Sequence, residues 1–134
     1  LQGKTILVTG ASSGLGRQIA ISCSRMGAQL VVTGRDGTRL ADTVAALTGD
    51  VHRAHVADLT VASEREALVD EAAQVDGVVH AAGVQRLAPA KLMSEKILRG
   101  VLDINLVAPM MLTQRLLHQN ALATGASIIF LSST

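Results

Sequence analysis

A chain of 134 residues, 49% of them hydrophobic, suffices for one globular domain with a substantial core and little else. Its charged residues make up 17%, sum to a net charge of +1 and are scattered, so the basic footprint of a nucleic-acid or anionic-membrane binder is absent. No apolar run approaches the roughly 20 residues of a membrane span, and the opening LQGKTILVTG lacks the basic-then-apolar plan of a secretory leader; a soluble, cytoplasmic protein is expected.

The first predicted element is the strand-sized run TILVT, residues 5–9. Directly behind it, TGASSGLG sets Gly10, Gly14 and Gly16 between a buried strand and an amphipathic helix. Position gives each glycine a mechanism: Gly10 permits a tight turn, Gly14 lets the backbone approach a pyrophosphate, and Gly16 lets the helix pack close to the sheet. The helix N-terminus then presents free N–H groups and a positive dipole end to phosphates. No Gly-Lys-Ser/Thr follows, which disfavours a phosphate loop of the nucleotide-hydrolase type. In the helix, Leu15, Ile19, Cys23 and Met26 share one face. Cys23, the single cysteine, reads as a plain buried thiol.

A second run, LVVT at 30–33, leads into Gly34, Arg35 and Asp36, and the next helix aligns Leu40, Val44 and Leu47. The third run, VHRAHVA at 51–57, contains His52, Arg53 and His55 and suits an edge strand; the histidines show no metal-ligand pattern. The fourth, GVVHA at 77–81, includes His80, read as a partly buried, hydrogen-bonded histidine near the cleft. From Ser94 to Gln119 a helical period carries Ile97, Val101, Ile104, Ala108 and Met111. Within it Pro109 has no N–H to give and crowds the carbonyl of Asn105, so a kink that frees this carbonyl is expected. The fifth run, SIIFL at 127–131, ends in Ser132 and Ser133.

Strands alternate with helices, and four of the five runs are apolar without alternation, as in a parallel sheet covered on both faces. The expected fold is a Rossmann-like, doubly wound α/β domain over residues 1–134, with right-handed crossovers and strand order 3-2-1-4-5. Its ligand crevice lies beyond the carboxyl ends of the strands, which places the terminal serines beside the glycine turn.

The ordered motifs TGASSGLG, ADL (57–59), HAAG (80–83), LDINLVAP (102–109) and IIFLSS (128–133) resemble those of the short-chain dehydrogenase/reductase family along the whole chain. The resemblance implies an oxidoreductase that interconverts a carbonyl and a secondary alcohol on a small molecule. It implies a cofactor-binding set of Gly10, Ser12, Ser13, Gly14, Leu15 and Gly16 in the turn, Asp58 and Leu59 at the adenine, and Ala81, Ala82 and Gly83 after the fourth strand. Ser133 corresponds to the active-site serine, with Ser132 the second choice, and Asn105 to the asparagine that supports a proton relay. His80 and Ala81 depart from the family's two asparagines. At the end of the second strand Gly34 stands where an acid selects NAD(H), and Arg35 follows with a phosphate-binding fork, so NADP(H) is expected. The other reading has Asp36 reach the ribose and bind NAD(H). The family's catalytic tyrosine and lysine are missing; the chain contains no tyrosine at all. The expectation is therefore the N-terminal half of a larger protein, a homodimer or homotetramer when whole and inactive as this piece. A non-catalytic dinucleotide-binding module or short form is the alternative, and a Rossmann-like methyltransferase a third reading.

Overall fold

All five apolar runs become strands of one parallel sheet, ordered β3-β2-β1-β4-β5, in a computed structural model that describes residues 1–132. The strands are β1 (Thr5–Val8), β2 (Gln29–Gly34), β3 (Arg53–Val56), β4 (Val75–His80) and β5 (Leu122–Phe130). Between them lie the helices α1 (Gly14–Arg25), α2 (Gly37–Ala45) and α3 (Ala62–Ala72), then a long helix containing α4 (Glu95–Leu102) and α5 (Ala108–His118). Alternate residues of the central strands serve opposite cores. Ile6, Val8, Leu30 and Val32 pack under α1 and α2 with Ala20, Ile21 and Leu40. Leu7, Val31 and Val78 pack under α3 and α5 with Leu68, Val69, Leu112 and Leu116. Two covered faces explain why these strands read as unbroken apolar runs. Each such Leu or Val contributes about 1.5–3 kcal/mol on burial, against the entropy of ordering it.

At the sheet edge, β3 leaves Arg53, Ala54 and Val56 exposed, as its mixed sequence predicts. Arg53 is nonetheless employed: its guanidinium donates to the carbonyls of Glu71 (2.6 Å) and Ala72 (3.3 Å), placing positive charge on the C-terminus of α3. No helix among the described residues is long and apolar enough to cross a membrane.

Three features differ from the sequence expectation. On α1 the buried stripe is Gly16, Ala20 and Ser24, joined by Ile21; Ile19 and Cys23 of the predicted face pack partly buried against the same core, whereas Leu15 and Met26 are 71% and 59% exposed. Close approach of this helix to the sheet demands small residues, and that demand overrides the hydrophobic period. Strand β5 begins at Leu122, five residues earlier than its apolar run, because its pairing with β4 passes through an irregularity between Val75 and Gly77 before settling with Ser127 opposite Gly77 and Phe130 opposite His80. The long helix starts at the Ser94 cap, whose hydroxyl accepts from the Ile97 N–H at 3.2 Å, and ends at Gln119 as predicted. The disturbance around Pro109 takes the form of a widened turn. A π turn, Asp103–Val107, precedes the proline, with the Ala108 N–H donating to the Asp103 carbonyl five residues back. The widened turn seats Pro109 at the second position of α5, where a missing N–H costs little.

His80 is buried, at 4% exposure, and its Nε2 lies 2.9 Å from Thr113 Oγ1 on α5. Its ring stacks on Phe130 of β5, centroids 4.7 Å apart and planes 19° from parallel. Burial disfavours the charged ring and pushes its pKa from 6.5 down to about 4. The unfolded chain therefore binds a proton first as pH falls, so stability is fully present above pH 6.5 and is lost on the way down through pH 4. The expected loss is roughly 1.4 kcal/mol for each pH unit in that window. Urea midpoints at pH 7, 5.5 and 4.5, compared with His80→Asn, check this: the difference between the two proteins should change across the window, and a constant difference would contradict it.

Candidate functional site

The chain leaving β1 is shared between two neighbours. The Thr9 N–H donates to the Val79 carbonyl of β4 and the Ala11 N–H to the Thr33 carbonyl of β2, both at 3.0 Å. The strand order diverges at this point, and a crevice opens between the two tethers. Gly10 adopts φ +64°, and a Cβ there would fall 2.7 Å from Ala82 Cα. A Cβ on Gly16 would fall 2.7 Å from the Gly10 carbonyl carbon and 3.0 Å from the Thr9 oxygen, so only glycine lets α1 begin this close to β1. Gly14, at φ +53°, is different: a Cβ would meet nothing within 4 Å, because that position faces open space.

Thr9 ties the HAAG segment to the end of β1. Its buried hydroxyl accepts from the N–H groups of Ala81 and Ala82, each at 3.1 Å, and so holds the chain beyond β4 against β1. Beyond it, Asn105 binds both backbone groups of one residue: its Oδ1 accepts from the Val84 N–H and its Nδ2 donates to the Val84 carbonyl, both at 2.8 Å. The π turn presents this amide to the loop.

A cleft of about 570 Å³ runs along the carboxyl ends of β1 to β4. Its wall at the turn contains Gly10, Ser12, Ser13, Gly14, Leu15 and Gly16; Arg35 stands after β2, Asp58 and Leu59 after β3, and Ala81, Ala82 and Gly83 after β4. The structure thus gathers every residue predicted for dinucleotide binding around one space. Asn105 lies outside the lining and acts on its wall through Val84. Ser133 lies outside the described residues. Sequence reasoning left out Thr60, Ile104 and Arg39, which also line the cleft; only the spacing of Asp36 and Arg39 across the first turn of a helix signalled the last of them.

The electrostatics of the lining favour an anion at one end. Helix α1 follows Ser13 with no side-chain cap, as α3 follows Val61, whereas the caps of α2 and α4, Asp36 and Ser94, accept backbone N–H bonds. The first-turn donors of α1 face the cleft unclaimed by a cap. Across the cleft, Asp58 Oδ1 accepts from Thr60 Oγ1 (2.7 Å) and the Thr60 N–H (3.0 Å). These bonds, the hydroxyl first, hold its carboxyl below the usual carboxylate range, and the Arg35 charge adds to the effect.

A parallel 3-2-1-4-5 sheet with a glycine turn at its crossing point defines the doubly wound, Rossmann-like class. The family model described as short chain dehydrogenase matches residues 4–134, and the chain belongs to that family. A D-threitol dehydrogenase from Mycolicibacterium smegmatis is 33% identical over 139 residues, covering 99% of this chain and 54% of the relative. The solved structure of a short-chain dehydrogenase/reductase double mutant from Serratia marcescens superimposes with a TM-score of 0.93 at 27% identity, over 100% of this chain and 57% of that one. The oxidoreductase yciK from Escherichia coli gives 0.90 at 31% identity, over 100% and 59%. The chain therefore spans a little over half the length of these relatives. Membership sets aside the methyltransferase reading, and it implies a nicotinamide dinucleotide cofactor, which the uncapped helix, the open face at Gly14 and the gathered lining fit.

Gly16→Val forces a branched side chain into the contact between α1 and the Thr9–Gly10 backbone. Overpacking of this kind costs about 1–3 kcal/mol, and here it also displaces the turn. Loss of dinucleotide binding together with a lowered melting temperature is the expected outcome, read by cofactor titration and thermal unfolding. Unchanged affinity would remove the close packing of Gly16 from the account of the site.

Proposed function

We propose that the whole protein is an NADP(H)-dependent oxidoreductase interconverting a carbonyl and a secondary alcohol, and that this chain supplies its dinucleotide-binding half. The observation that carries the reading is the end of β2. Gly34 has no side chain, and a Cβ there would sit 3.0 Å from Ser12 Oγ, so an acid at that position would have to push Ser12 aside. Arg35 follows on the cleft wall and makes no ion pair among the described residues. An arginine without an ion pair, next to a position that carries no carboxylate, suits the 2′-phosphate.

The other roles follow from the lining. First-turn N–H groups of α1 bind the pyrophosphate; Asp58 and Leu59 hold the adenine; Ala81, Ala82 and Gly83 border the nicotinamide riboside. Leu15, 71% exposed on the cleft wall, gives the ligand an apolar contact that no core supplies. A bound nicotinamide supplies or accepts the hydride. Ser133 orients the substrate oxygen, Asn105 fixes the loop at Val84 and supports proton relay, and the proton itself comes from a tyrosine activated by a lysine elsewhere in the whole protein. The dehydrogenase relative that covers nearly all of this chain supports the reaction class. A cytoplasmic homodimer or homotetramer completes the reading. Leu98, Leu102, Leu106 and Met110 recur every four residues along the long helix, each at least 42% exposed, and suit burial against a second copy.

Arg35→Ala is expected to weaken NADPH by about tenfold or more while leaving NADH nearly unchanged, since only the 2′-phosphate contact is lost. Fluorescence titration with both nucleotides reads this, and equal losses would make Arg35 a bystander. The 134-residue chain alone, which holds no tyrosine, should reduce no member of a carbonyl panel with NADPH, whereas the whole protein turns over. Turnover by the chain alone would overturn the assigned proton donor; absence of turnover in both would favour the alternative, a non-catalytic dinucleotide-binding module.

A further inference from the structure

We propose that Arg39 is a second ligand for the 2′-phosphate, and that its pairing with Asp36 keeps that carboxylate from the ribose and so sets the cofactor preference. The inference rests on the NADP(H) reading of the cleft and assigns two residues that it leaves without a role.

The cleft end between β2 and β3 brings together two arginines and two acids: Arg35, Asp36 and Arg39 on one wall, Asp58 on the other. Arg35 already shares its field with Asp58. A phosphate monoester brings about −1.5 to −2 charges, more than one partly compensated guanidinium matches. Arg39 is placed to supply the remainder. It stands in the first turn of the nine-residue α2, and its Nε faces Asp36 Oδ2 at 3.4 Å. Its two terminal nitrogens have no partner among the described residues. Its backbone is fixed relative to the glycine turn through Thr43, whose buried hydroxyl reaches the Arg39 carbonyl (3.1 Å) and the Ala11 carbonyl (2.8 Å). The guanidinium therefore springs from a point held in register with the pyrophosphate turn.

Asp36 is the acid next in sequence to the ribose position, yet both its oxygens are turned to Arg39. Oδ1 accepts the Arg39 N–H at 3.0 Å as the cap of α2, and Oδ2 faces Nε. Removing the Arg39 side chain thus has two effects of the same sign. It deletes a phosphate donor, and it releases an uncompensated carboxylate beside the phosphate, where that carboxylate repels NADP(H) and accepts the ribose hydroxyls of NAD(H). The side chain is 67% exposed, so its removal leaves the fold intact.

The test titrates the whole protein with 2′,5′-ADP and with 5′-AMP by calorimetry. Arg39→Met should weaken 2′,5′-ADP by about tenfold or more and leave 5′-AMP unchanged or tighter. Adding Asp36→Asn, which keeps a cap acceptor without the charge, should restore part of the lost affinity for 2′,5′-ADP. If Arg39→Met leaves 2′,5′-ADP unchanged, or weakens both nucleotides alike, the inference is overturned. It is also overturned if the second substitution restores nothing. Arg35→Ala separates the two levels: its selective loss of 2′,5′-ADP with a silent Arg39→Met sinks only the second-ligand assignment. Indifference of both variants sinks the NADP(H) reading itself.

Discussion

The molecule is organised around two missing Cβ atoms. Because Gly16 has no Cβ, α1 starts against the Thr9–Gly10 backbone, and because Gly10 has none, the same backbone lies against Ala82. Two such approaches in sequence bring the helix start, the end of β1 and the chain beyond β4 into contact through main chain alone. The tethers to β2 and β4 then spread the sheet at its crossing point. A crevice with helix N–H donors at its floor follows from that geometry before any polar side chain is considered.

Side chains from distant elements hold the rest of the wall. Thr9 grips two N–H groups of the HAAG segment, Asn105 grips Val84, and Thr43 joins α2 to the turn. His80 joins β4 to α5 through Thr113 and meets Phe130 on the neighbouring strand. Each contact pins backbone that belongs to no strand or ends one. Loops of this kind are where ligand-facing residues must be both irregular and fixed, and hydroxyls and amides with single, short reaches achieve that without filling the cleft.

How much of this the sequence disclosed depends on the scale of the interaction. The strands, their order and the glycine turn were legible because unbroken apolar runs, helical spacing and a glycine pattern between them are local signals. Residues later found around the cleft were legible as a set because motif order along the chain maps onto one sheet edge. The inward face of α1 was legible only in part: Ile19 and Cys23 do reach the core, but Leu15 and Met26 extend the hydrophobic period outward, and the spacing between helix and sheet, a tertiary quantity, selects Gly16, Ala20 and Ser24. The first half of β5, through Thr124 and Gly125, carries no apolar signature and is recruited by pairing with β4. Pro109 announced a disturbance without its form. The engagement of Asp36 with Arg39 depends on side-chain conformation, to which spacing gives only a hint.

The π turn also rotates one half of the long helix against the other. An α-helix turns 100° per residue, so one additional residue in a turn offsets everything on one side of it by about that angle relative to the other. The two halves of the long helix are accordingly out of phase. Past the turn, Ala108, Pro109, Leu112 and Leu116 point into the sheet, while α4 before it buries no residue and runs beside the loop that Asn105 holds. A single rod thus carries two faces that no uninterrupted heptad could aim independently. Shortening the turn by one residue would leave both halves helical yet swing Asn105 away from Val84, uncoupling the cleft wall from a core that stayed whole.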